Sequence, residues 1–109
     1  MMFGDSNNPI LFETHLEGLT ESVRTILLDL RAFVKSLGSN VIEEARPHRV
    51  TYAKTINFRT FLDIRPAGDS LVLLITYGRA APPTTATVRT AEDAEKAKKQ
   101  IAEAYRKIQ

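Results

Sequence analysis

The side chains of this sequence that could do chemistry are two histidines, one pair of neighbouring glutamates and a run of arginines. His15 and His48 stand far apart, and neither has a carboxylate pair at metal-ligand spacing, so each reads as a surface or packing residue, His15 placed to hydrogen-bond near the start of a helix. His48 lies between Arg46 and Arg49, which gives Arg46 and His48 the makings of a weak anion site. Glu43 and Glu44 are adjacent, and adjacent residues of a strand point to opposite faces, so they make a poor acid–base couple and read as solvated charges. A hydrolase built on His48 and Glu44 would need the two side chains to converge against their spacing.

Most other catalytic chemistry is excluded by composition. Without cysteine there is no thiolate metal site, disulfide or cysteine nucleophile, and two histidines do not complete a zinc site, so no metal or cofactor is expected. The five glycines are scattered and none precedes Lys-Ser or Lys-Thr, so no phosphate-cradling loop is present. Tyr52, Tyr77 and Tyr105 could line a small pocket, but amphipathic tyrosines at a core edge are ordinary.

The arginines carry more information. The net charge is only +2, yet residues 46–89 hold seven cations (Arg46, Arg49, Lys54, Arg59, Arg65, Arg79, Arg89) against Asp63 and Asp69, a local excess of five. A field confined to the middle of the chain needs elements that gather it on one surface.

A chain of 109 residues makes one domain, burying roughly 65% of its unfolded surface, enough for two layers without staples. Residues 1–12 contain Asp5, Ser6, Asn7, Asn8 and Pro9, all turn formers, and read as a flexible segment ending in an apolar plug of Ile10, Leu11 and Phe12, with the domain at 13–109. Leu16, Leu19, Val23, Ile26, Leu30, Phe33 and Leu37 then recur at alternating intervals of three and four, one stripe of an amphipathic helix. Thr20 is its expected N-cap, residues 21–37 its body, Gly18 a break before it and Gly38 its stop.

From residue 41 to 89 the period turns toward two, with β-branched and aromatic residues, as strands require. Strands are expected at 49–55, 58–65, 70–77 and 85–89, with a short edge strand at 41–45, a turn at Ile56 and Asn57, and a hairpin loop at 66–69. A second helix opens at Thr90, with Asp93 in the capping-box position, and its stripe of Ala91, Ala94, Ala97, Ile101, Ala104 and Ile108 packs closely on the sheet. The expected fold is α+β: an N-terminal amphipathic helix, an antiparallel sheet of four to five strands, and a C-terminal helix on the same face.

Certain stretches resemble a known family. His15-Leu16-Glu17-Gly18, Val23-Arg24, Val50-Thr51-Tyr52-Ala53-Lys54, Asn57-Phe58, the strand from Leu71 to Ile75 and Ala104-Tyr105 look like an uncharacterised small domain of unknown function, labelled in places "predicted transport protein" and similar to the C-terminal part of some restriction-associated proteins. The likeness spans roughly residues 13–106 and implies the helix, sheet, helix order. Relatives carry a longer polar insert with aspartate and tryptophan before the last strand, whereas 78–84 is short here and tryptophan is absent, so any function of that insert is not expected.

Side-chain alternation then sorts the surfaces. Phe58, Thr60, Leu62 and Ile64 should lie under the helices, leaving Phe61, Val72 and Leu74 on the opposite face, ringed by Arg49, Arg59 and Arg65. An apolar patch among cations is a binding surface. The expected function is therefore a non-catalytic binding or interaction module, its patch covered by a second copy in a homodimer, by another protein or by the N-terminal segment. The alternative is a nucleic-acid-binding accessory domain, with Phe61 stacking a base while Arg49, Arg59 and Arg65 hold phosphates. The longest apolar run, Leu71 to Ile75, is far short of the ~20 residues that cross a bilayer, and no basic stretch followed by an apolar block marks a secretory signal, so a cytoplasmic protein without a membrane partner is expected.

Overall fold

The computed structural model describes residues 10–55, 59–79 and 81–108. A short 3-10 helix, Phe12–Leu16, leads to Gly18, whose φ of 81° turns the chain into the first α-helix, α1 (Glu21–Lys35). Thr20 caps α1 as expected, its hydroxyl accepting from the Val23 N–H at 3.3 Å. The stripe of Val23, Ile26, Leu27, Leu30 and Val34 is buried. Packing starts at Phe12, one residue before the expected boundary: its ring is 5% exposed and lies 4.0 Å from the Arg31 guanidinium.

The helix stops two residues earlier than expected, at Lys35, where the Ser36 hydroxyl donates to the Phe33 carbonyl at 2.6 Å. Gly38 is not the left-handed terminator its position invites. Its backbone has no positive φ; a Cβ there would collide with the Tyr105 hydroxyl, which donates to Asn40 Oδ1 at 2.5 Å. Gly38 is needed for that close approach of the C-terminal helix.

Five strands follow: β1 (Val41–Arg46), β2 (Arg49–Lys54), β3 (Arg59–Pro66), β4 (Leu71–Ile75) and β5 (Thr84–Val88). They form one antiparallel meander in the order β1-β2-β3-β4-β5. The expected turn at Ile56 and Asn57, and Phe58, lie outside the described residues. The final helix, α2 (Ala91–Lys107), opens with the full capping box, Thr90 Oγ1 accepting from the Asp93 N–H at 3.1 Å and Asp93 Oδ2 accepting from the Thr90 N–H at 3.3 Å.

Both helices cover one face of the sheet, making a two-layer α+β fold. Val50, Tyr52, Leu62, Ile64, Leu71, Leu73 and Ile75, all fully buried, point at them. Ala94, Ala97 and Ala104 are buried where α2 meets the sheet, side chains small enough to let the helix lie close.

One irregularity decides which residues reach the other face. Tyr52 pairs with Leu62, but the next residue, Ala53, pairs with Thr60, so Phe61 is the extra residue of a β-bulge. Phe61 and Leu62 therefore both turn toward the helices. Phe61 is fully buried, its ring edge-on to Tyr105 of α2 at 5.4 Å. The alternation before the bulge is reversed. Thr60, expected inside, is placed outward with Ala53, and Arg59 is placed opposite Lys54, whose ammonium lies 4.3 Å from the Tyr105 ring on the helix side.

The uncovered sheet face as candidate functional site

Among the described residues no element covers the other face of the sheet, and register assigns its residues. Arg46 stands opposite Arg49, Asp63 opposite Leu74, Arg65 opposite Val72, and Leu74 opposite Thr85. Four of the six expected patch residues, Arg49, Arg65, Val72 and Leu74, are thus brought together. Phe61 and Arg59 are not, because the bulge sends Phe61 into the core and shifts Arg59 to the helix side. Sequence alternation carries no mark of an inserted residue, so a strict period of two misplaced both.

Arg49, Asp63, Arg65, Val72, Leu74 and Thr85 line a concavity of about 300 Å³. Leu74 is 40% exposed, a large aliphatic side chain held in water by the strand that buries its neighbours Leu73 and Ile75. Asp63 and Thr85 were not singled out from sequence; Asp63 was legible as a residue two before Arg65 on the same side of a strand.

The concavity contains a polar mismatch. Arg49 Nε and Asp63 Oδ1 are 3.6 Å apart, too far for a hydrogen bond, and both atoms are buried without a hydrogen-bond partner among the described residues. Burial pushes the Asp63 carboxyl above its ordinary range, and the nearby charges of Arg49, Arg46 and Arg65 pull it down less than burial raises it. A carboxylate that costs stability on a solvent-facing surface is a common mark of a functional position. Replacing Asp63 with Asn should therefore stabilise the protein at neutral pH by up to about 1 kcal/mol, read as a higher urea midpoint. Because a raised carboxyl favours the folded state only while protonated, the gain should shrink as pH falls below the folded value of Asp63.

Arg46 and His48 flank the tight β1–β2 turn and, with Pro47 and Arg49, line a small hollow of about 230 Å³, where Arg46 is also paired with Glu44 at 2.8 Å. His48, Pro47 and Arg65 share a second concavity of about 540 Å³ with Thr14, His15 and Glu17. His15 is a structural residue: it is 6% exposed and its Nε2 lies 2.7 Å from the Arg46 carbonyl, tying the 3-10 helix to the end of β1. Glu44 is engaged by Arg46, so its carboxylate is not set up as a partner for His48.

Glu43, expected as a solvated charge, is largely buried. It faces the helices and accepts two hydrogen bonds from Arg31 at 2.9 Å each and one from the Tyr52 hydroxyl at 2.7 Å, with Lys35 at 3.6 Å. The network staples α1 to the sheet. Among the described residues no cluster of three or more His, Asp or Glu is arranged to hold a metal ion, and no helix is long and apolar enough to cross a membrane. No protein-family model, curated protein or solved structure matches the chain.

Proposed function

We propose that the protein is a non-catalytic binding module whose working surface is the uncovered face of its sheet. The observation that carries this is the apolar ledge of exposed Leu74 and half-buried Val72 beside Arg49, Arg65 and the unmet Arg49–Asp63 pair. Such a surface suits a ligand with three parts: an aliphatic group for the ledge, an anion for the guanidinium groups, and a hydroxyl or amide that donates to the accessible part of the Asp63 carboxylate. A peptide segment of a protein partner has all three.

The alternative, nucleic-acid binding, keeps Arg49 and Arg65 on the face. It loses Arg59 and also Phe61, the ring on which a base was to stack. The protein-partner reading is therefore the stronger.

Titrating isotope-labelled protein with N-acetyl-leucine, which carries an isobutyl group, an amide and a carboxylate, should shift the amide signals of Val72, Leu74 and Arg65 and the Nε–H of Arg49. Leu74→Glu should remove these shifts while leaving the spectrum of a folded protein. Shifts confined to other surfaces would overturn the reading. Salt-sensitive shifts on the same residues with short mixed-sequence DNA or RNA would replace it by nucleic-acid binding. Signals that broaden with protein concentration, and sharpen in Leu74→Glu, would make the face a homodimer interface.

A further inference from the structure

β5 ends the sheet, and no described strand pairs with its outer edge. In an antiparallel sheet the residues of a terminal strand alternately turn their N–H and C=O groups away from the only partner, so Thr84–Val88 presents unpaired donors and acceptors. Sheets usually blunt such edges with charges, proline or a bulge. β1, at the other edge, carries Glu43, Glu44 and Arg46. β5 reads Thr-Thr-Ala-Thr-Val, and its register with β4 runs without interruption from Leu71 opposite Val88 to Ile75 opposite Thr84. It is an uninterrupted, uncharged edge, the form that accepts an added strand.

The neighbouring helix sets what that strand should carry. Asp93, Lys96, Ala97 and Gln100 recur at helical spacing on one side of α2 and, with Ala86 and Thr87 of β5, line a groove of about 500 Å³. The Asp93 carboxylate is occupied, accepting from the Arg89 and Thr90 N–H groups at 3.0 and 3.3 Å. Lys96 and Lys99 are exposed and in no ion pair among the described residues, whereas Lys98 is held by Asp29 and Glu95 at 2.7 Å each. The Asp93 charge is felt by Lys96, and with Lys99 beside them the groove keeps a net positive charge. A second copy of β5 would bring no charge to neutralise it, and two-fold pairing of the edges would set the Lys96 and Lys99 pairs of both copies on one side of the joined sheet.

We propose that the β5 edge takes up an extended acidic segment of a partner protein as an added strand, its backbone on Thr84–Val88 and its alternate carboxylates on Lys96 and Lys99. This site is separate from the uncovered face, and either can fail alone.

The test uses the whole protein and the peptide acetyl-TEVEVET-amide. Its addition should shift the amide signals of Thr84–Val88 and Lys96 and leave those of Leu74 and Arg65 in place. The lysine counterpart, acetyl-TKVKVKT-amide, should not bind. The Lys96→Glu, Lys99→Glu double variant should weaken the acidic peptide by roughly tenfold. The same peptide N-methylated at alternate backbone nitrogens keeps its charge but cannot pair with an edge, and it should lose binding. The proposal is overturned by equal binding of the N-methylated and unmodified peptides, by equal binding of the lysine peptide, or by no binding at all. It is overturned equally if the β5 signals report pairing with a second copy or with this chain's own residues 1–9 in the free protein.

Discussion

Replacing Phe61 with alanine should destabilise the protein by about 3–5 kcal/mol, lowering Tm by on the order of 15 °C for a domain of this size. The reason is the bulge. Phe61 is fully buried and packs edge-on against Tyr105, and Tyr105 in turn holds Asn40 and lies under the Lys54 ammonium. Truncating the ring removes the surface that α2 rests on and leaves a cavity between two rigid elements that cannot both close on it. Phe61→Leu keeps most of the volume and should cost only about 1 kcal/mol. Urea unfolding of the two variants checks this. A Phe61→Ala protein as stable as the parent would mean that the ring faces solvent, and would restore Phe61 to the outer surface as a stacking platform.

The elements themselves were legible from local chemistry. Thr20 and the Thr90–Asp93 couple place the helix starts because an N-cap depends only on residues within one turn of it. The apolar stripes of both helices and the alternation of β4 likewise follow from nearest neighbours along the chain. What was not legible depends on pairing between distant segments. Phe61 and Arg59 change sides because one residue is inserted relative to β2, a property of the β2–β3 pair and not of either strand alone. Gly38 reads as a helix stop until α2 returns and sets the Tyr105 hydroxyl against it. The concavity of the bare face has the same origin: Arg49, Asp63 and Leu74 come from three strands, and only the register makes them neighbours.

Glu43 is the sharpest case of a charge whose meaning is tertiary, and its removal is the second large effect expected. Glu43→Ala should cost about 2–4 kcal/mol, because it strands the hydroxyl of fully buried Tyr52 and the inward-facing nitrogens of Arg31, neither of which water can fully serve. Burial alone would raise the Glu43 carboxyl, but the hydrogen bonds from Arg31 and Tyr52 and the charges of Arg31 and Lys35 outweigh it and hold the group below its ordinary value of about 4.5. The unfolded chain thus binds this proton more readily than the folded one, so the stability that Glu43 contributes is complete above the ordinary value and disappears as pH falls through the lower folded value. Asp63 titrates in the opposite sense nearby, so the pH profile of the parent protein alone would blend the two. The difference between parent and Glu43→Gln separates them: the unfolding free energies should differ most at neutral pH and converge as the solution is brought below the ordinary glutamate range. A difference that persists unchanged below that range would mean that Glu43 holds α1 to the sheet by shape and not by charge.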